Sequence, residues 1–114
     1  MRHLIVHRER ALACFAMKYD CVLDREQADF LAELEGKDRE ELMLNAPGVP
    51  MRNGETITIE LDEGEHRFFA AACLESRTMT TNDLTIPAGD ADAEITVRTD
   101  YNGDRKLEIT AELN

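Results

Sequence analysis

The chain has 114 residues, and 13 basic against 24 acidic side chains leave a net charge of −11 with histidines neutral. That length suits a single domain over residues 1–114, and a composition 43% hydrophobic and 32% charged is globular rather than disordered. An acidic body repels phosphate backbones, and a chain with no Trp and 5% aromatics lacks a stacking platform, so nucleic acid is not expected as a partner.

Leu4-Ile5-Val6 within residues 3–7 opens the chain as a basic strand. Residues 11–23 admit two readings. Ala11–Val22 suits a helix by propensity, whereas Phe15, Met17, Tyr19, Cys21 and Leu23 form a period-two set that favours a strand, with Arg8-Glu9-Arg10 as its connector. Asp24 with Gln27 three positions later resembles an N-cap and its capping-box partner. Ala28, Phe30, Leu31 and Leu34 then follow at helical spacing, and Gly36 is a natural C-cap. Asp38 with Glu41 repeats the start signal before Leu42-Met43-Leu44, and Asn45–Pro50 reads as a loop. The two helices form an insertion at about 24–45.

From Asn53-Gly54 onward the rhythm is strands and tight turns. Ile57, Ile59 and Leu61 alternate on one face of Glu55–Leu61. Phe68–Leu74 is apolar on both faces, as in a central strand covered on both sides. Leu84-Thr85-Ile86 is stopped by Pro87-Ala88-Gly89, and Glu94–Thr99 alternates with Ile95 and Val97 inward. Asn102-Gly103 signals a two-residue type I′ hairpin, in which both residues take positive φ. Leu107, Ile109, Ala111 and Leu113 then alternate with polar residues. The fold class expected is all-β: an Ig-like antiparallel sandwich of about seven strands with a short helical insertion.

Three turn-rich stretches carry a further likeness: Tyr19-Asp20-Cys21-Val22-Leu23-Asp24, Asn53-Gly54-Glu55, and Leu61-Asp62-Glu63-Gly64-Glu65-His66. With the leading basic strand and Thr81-Asn82-Asp83-Leu84, they resemble small uncharacterised bacterial β-sandwich domains related to PEGA-type modules. The resemblance covers about two-thirds of the chain and implies an Ig-like sandwich without catalytic residues. The sequence departs from that pattern at Asp24, which no Gly follows, and in the helical insertion, which replaces a short link.

Charge is uneven. Residues 1–54 carry 8 basic and 10 acidic side chains, residues 55–114 carry 5 and 14, and residues 1–25 alone are net +2. The basic leading segment is expected to pair with acidic neighbours inside the fold. Three cysteines, Cys14, Cys21 and Cys73, cannot all pair, so they read as free thiols of a cytoplasmic protein. His7-Arg8-Glu9-Arg10 interrupts the leading apolar run too early for a signal peptide, and no run approaches the ~18 apolar residues of a membrane span.

Chemistry-bearing patterns are sparse. On one strand, His3 and His7 stand four residues or ~13 Å apart, too far for a shared metal ion. Asp100, Asn102 and Asp104 match the first positions of a calcium loop, but Arg105 occupies the glycine position and Ala111 the closing glutamate. Ser76, the only serine, is in no nucleophile elbow. No enzyme, metal or cofactor is expected. The sequence therefore points to a non-catalytic interaction or accessory module with a protein partner or a second copy of itself. The candidate surface is Phe30, Leu31, Leu34, Leu42 and Met43; these and Leu44 must either cover the chain's own core or meet a partner. The alternative is a small-ligand or cation-binding protein using the acidic loops 90–94 and 100–104.

Overall fold

Alternating burial sorts the strands into two sheets. The computed structural model describes all 114 residues. In chain order it contains β1 (Arg2–Arg8), β2 (Tyr19–Leu23), α1 (Gln27–Leu34), α2 (Arg39–Asn45), β3 (Val49–Met51), β4 (Thr56–Leu61), β5 (His66–Cys73), β6 (Thr78–Thr80), β7 (Leu84–Ile86), β8 (Ala93–Tyr101) and β9 (Leu107–Leu113). The first sheet has the order β4-β1-β8-β9, and the second β3-β2-β5-β6 with β7 also paired to β5. The chain is thus mainly β in two sheets. It has nine strands against the seven or so expected, because β3, β6 and β7 are only three residues each.

One pairing departs from the antiparallel expectation. β1 runs parallel to β8, with Leu4 opposite Ala93 and Arg8 opposite Val97. A parallel neighbour needs a long connection, and here the whole second sheet, with β4, lies between the two strands in sequence.

The core lies between the sheets. Leu4 and Val6 of β1, Ile95 and Val97 of β8, and Ile109 of β9 meet Tyr19, Cys21, Phe68 and Ala70 of the second sheet. β5 is buried on both faces from Phe68 to Cys73, as its unbroken apolar run predicts. Its other face, Phe69, Ala71 and Cys73 with Val22 of β2, is covered by Phe30 and Leu34 of α1 and Leu42 of α2. The Phe30 and Phe69 rings meet edge to face, 5.4 Å between centroids at 80°. The insertion therefore forms a third layer on the outer face of the second sheet.

Polar contacts fasten that layer. Arg39 donates through Nε and Nη2 to the Leu74 carbonyl (3.1 and 2.7 Å) and through Nη2 to Thr78 Oγ1 (3.0 Å). Gln27 Nε2 donates to the Thr81 carbonyl at 2.7 Å. Gln27 is thus occupied across the layer and unavailable as a capping partner. Asp24 does not cap α1 either: it has φ +56°, and the N-cap is Glu26, which makes no side-chain cap bond. At α2 the expected cap forms, Asp38 Oδ1 accepting from the Glu40 amide at 2.9 Å.

Two other local expectations are corrected. Residues 11–18 form neither a strand nor a helix; the regular strand is confined to Tyr19–Leu23, and turns occupy the rest. At Asn102-Gly103 the connection is longer than a type I′ turn. Asn102 N donates to the Lys106 carbonyl, Arg105 is the residue with positive φ (+58°), and Asn102 Oδ1 accepts from the amides of Asp104 and Lys106 at 2.9 and 3.0 Å. The asparagine serves through its side chain, and the left-handed position falls on Arg105.

Candidate functional site

β1 alternation points Arg2, Leu4, Val6 and Arg8 inward together. The two arginines stand at opposite ends of the strand. Arg2 donates from Nε to the Asp62 carbonyl (3.0 Å) and from Nη2 to the Gly64 carbonyl (2.7 Å), holding the β4–β5 turn. Arg8 is 2% exposed. Its Nη1 donates to the carbonyls of Met17 (2.6 Å) and Met51 (3.0 Å), and its Nη2 to the carbonyl of Cys14 (2.9 Å). The guanidinium lies 3.5 Å from the Tyr19 ring centre, and only Nε is without a partner. Burial pulls the Arg8 pKa down, while Tyr19 opposes that shift. Within the basic leading segment, Arg25 pairs with Glu33 at 2.6 Å as its charge suggests, whereas the two inward arginines capture backbone carbonyls instead.

This capture builds a surface. Arg8 holds Cys14 and Met17 by their backbones, and the Asn53 amide side chain both donates to Ala11 O and accepts from Ala11 N at 3.0 Å. The loop is tied down through its main chain and through Cys14, which packs against the core, while Leu12 and Phe15 turn outward, 95% and 67% exposed. Next to Phe15, a cleft of about 420 Å³ is lined by Ala16, Met17, Lys18, Met43, Leu44 and Arg52. Lys18 Nζ donates to the Leu44 carbonyl at 2.6 Å, joining the loop to the end of α2, and Leu44 is 62% exposed. Four apolar side chains and two cations line the cleft, with no acid among them, on a chain of net charge −11.

The expected surface residues divide. Phe30, Leu34 and Leu42 are buried against the chain's own second sheet, while Leu31 is 37% exposed and Met43 lines the cleft. Leu44, expected with the insertion, is exposed, and with Leu12 and Phe15, which lie outside the expected set, it is among the most exposed large apolar side chains apart from Met1. The signal that could have found them is Arg8: an arginine in phase with Leu4 and Val6 must be buried, and a buried arginine needs main-chain partners.

The acidic loops are tied to their own surroundings. Asp92 Oδ1 accepts from the His3 amide at 2.8 Å and lies 3.6 Å from His3 Nδ1, and Glu94 lies 3.7 Å from His7 Nε2. Asp100 Oδ1 accepts from the Tyr101 amide. No three His, Cys, Asp or Glu side chains converge as a metal ion requires. A shallow cleft of about 430 Å³ does lie along residues 86–94, between Arg2 and Asn114.

The densest titratable cluster centres on His66. Nδ1 meets Asp24 Oδ2 and Nε2 meets Asp62 Oδ1, both at 2.7 Å. The hydrogen bond to Asp24 raises the His66 pKa; burial opposes the rise, and the hydrogen bond to Asp62 adds to it. Burial opposes ionisation of Asp24, yet the Arg67 amide and His66 outweigh it; the Gly64 amide and His66 lower Asp62. A histidine gripped at both nitrogens has no free lone pair for proton transfer, so this cluster joins the entry to α1 with the β4–β5 turn. Among the thiols, Cys21 is pushed up to about 12 by burial and Cys73 is also raised, and neither bonds a histidine.

Comparison with family models, with curated proteins and with solved structures gave no match. No helix is long and apolar enough to cross a membrane.

Proposed function

We propose that the chain is a non-catalytic, cytoplasmic protein-interaction module that docks a partner on the end surface formed by loop 11–18, the end of α2 and Arg52. The observation that carries this reading is the exposure of Leu12 and Phe15 on the loop that supplies Ala16, Met17 and Lys18 to a cleft shared with Met43, Leu44 and Arg52, whose only charged lining residues are Lys18 and Arg52. Charge selects the occupant: an apolar segment bearing carboxylates gains both burial and ion pairing there. The Ig-like character and the kinship with PEGA-type modules belong to the same proposal, supported by the two-sheet architecture and the turns at Asn53-Gly54 and Asp62–Glu65. Three unpaired cysteines support the compartment.

The cleft along residues 86–94 favours a second reading, a small-ligand or cation site, but Asp92 and Glu94 there face His3 and His7 rather than one another. A melting temperature that rises with calcium and falls back in chelator would establish that reading.

For the docking surface, a photo-crosslinking residue placed at Phe15 is compared in cell extract with one at Glu108. One partner trapped at position 15 alone, and lost in the Lys18→Glu/Arg52→Glu variant, supports the proposal. Equal, non-selective adducts at both positions refute it.

A further inference from the structure

Three of the four sheet edges are obstructed. Along β9, the Asn82 side chain takes both main-chain groups of Ala111 at 3.0 Å, and Arg77 reaches the Leu107 carbonyl. β3 is three residues long and contains Pro50, which has no amide to offer. β6 and β7 are equally short and lie against β9. The fourth edge, β4, has six residues, Thr-Ile-Thr-Ile-Glu-Leu, with no proline and no lysine. Its one charged side chain is Glu60, near the end of the strand, so the stretch from Thr56 to Ile59 has no charge, proline or bulge to keep the edge from pairing.

The register shows what the edge presents. Arg8 N donates to the Glu55 carbonyl, and the same ladder pairs Val6 with Ile57 and Leu4 with Ile59. In an antiparallel ladder the hydrogen-bonding direction alternates, so Thr56, Thr58 and Glu60 aim their main-chain groups away from β1. We propose that β4 pairs antiparallel with β4 of a second copy, about a two-fold axis at Thr58, so that the two four-stranded sheets become one sheet across the dimer. Only this register engages all three outward residues of each strand. Thr58 then faces Thr58, and Thr56 faces Glu60. On the inner face Ile57 meets Ile59 of the second copy; both isoleucines pack against the core in the single chain and are only partly buried there.

The charges flanking β4 match the antiparallel sense. At its start the Arg10 guanidinium lies over Gly54, where an added Cβ would come within 3.2 Å of Nη2. At its end the turn carries Asp62, Glu63 and Glu65. The Thr58 axis sets Gly54 opposite Asp62 and Asn53 opposite Glu63, so a cation meets carboxylates at both ends of the seam. Parallel pairing would bring like charges together. This inference is independent of the docking surface around Phe15.

Sedimentation velocity of the intact chain across micromolar concentrations tests it. The expected result is a species of twice 12.9 kDa, with the amides of Thr56, Thr58 and Glu60 slow to exchange only where that species is populated. Thr58→Pro removes an outward amide and leaves the β1 ladder intact, so it should sediment as a folded monomer. Should that variant fail to fold, Glu63→Arg should weaken association at least tenfold, and adding Arg10→Glu should restore it. A wild type that stays monomeric throughout overturns the proposal. So does a dimer that survives folded Thr58→Pro, or one whose affinity Glu63→Arg leaves unchanged.

Discussion

Replacing Arg8 by Met keeps most of the buried stem and removes the guanidinium, so it isolates what the charge does. Three carbonyls, of Cys14, Met17 and Met51, lose their donor, and the Tyr19 ring loses its cation. Hydrogen bonds to a charged group contribute about 1.5–3 kcal/mol each, and a desolvated cation–π contact about 2 kcal/mol. Against this stands the cost of holding a guanidinium out of water without a carboxylate, several kcal/mol per ion. Cys14 and Met17 lie on a surface loop that can turn to solvent once released, which moderates the loss. The balance is a destabilisation of about 2–4 kcal/mol, hence a melting temperature lower by roughly 10–15 °C for a chain of this size. Thermal denaturation followed by circular dichroism reads it, and hydrogen exchange locates it: the Met17 amide, bonded to the Cys14 carbonyl, should lose protection first. The control is Arg98→Met. Arg98 is ion-paired with Glu9 and Glu112 in the open, where solvent screens the pairs, and its loss should leave the melting curve nearly unmoved. A melting temperature for Arg8→Met within 3 °C of wild type would refute the view that this arginine holds the end of the sandwich.

Four further outcomes can be checked with the same melting assay. Phe30→Ala should cost about 3–5 kcal/mol, because its ring is fully buried against Phe69, whereas Leu31→Asp, one position on but 37% exposed, should cost far less; equal effects would contradict the orientation of α1. Arg105→Gly should leave stability unchanged or raise it by up to about 1 kcal/mol, since Arg105 holds φ +58°; a clear loss would contradict the turn. His66 has a raised folded pKa, so its contribution is complete below the unfolded value near 6.5 and fades as pH rises through the folded one, while Asp24 and Asp62, held low, contribute above about 3.8 and fade below it. The melting difference between wild type and His66→Asn should accordingly be largest between these limits; a difference that grows above pH 7 would refute the clamp. Asp20 is 5% exposed, accepts no hydrogen bond, and is pushed up to about 6 by burial despite Lys18. Folding therefore favours its protonated form, stability falls as pH rises from about 3.8 to about 6, and Asp20→Asn should gain up to about 3 kcal/mol at pH 7.5 and nothing at pH 3.5; no gain at the higher pH would show that its carboxylate is solvated.

Elements that bury a regular face were legible in the sequence. The unbroken apolar run of β5 announced cover on both sides, and the insertion supplied it through Phe30, Leu34 and Leu42. The turns were legible in position and less so in mechanism. Asn102-Gly103 marks the hairpin, yet the asparagine bonds the loop through its side chain and the left-handed residue is Arg105. Asp24 carries a capping signature, but at φ +56° its carboxylate goes to His66 and the Arg67 amide. Both are contests between local and tertiary partners for the same polar group, and spacing alone does not decide them. Residues 11–18 were misread for a related reason. Their period-two pattern from Phe15 to Leu23 continues that of a true strand, but Arg8 competes for the carbonyls of Cys14 and Met17 and bends the segment into turns.

That competition also accounts for where the candidate surface lies. A loop held by its carbonyls is free to leave some of its side chains in solvent. Loop 11–18 is of this kind, with Arg8 from inside and Asn53 at Ala11 as its anchors. Phe15 and Leu12 therefore reach solvent because of how the backbone is held, and no rearrangement within the chain is needed for a partner to find them. If loop 11–18 docks a partner as proposed, stability and docking are coupled through one side chain. Arg8→Met should loosen the apolar loop before it unfolds the sheets, so binding at Phe15 should weaken at temperatures where circular dichroism still reports a folded protein. If binding and global melting are lost together, the loop and the sheets form one cooperative unit, and the arginine holds both equally.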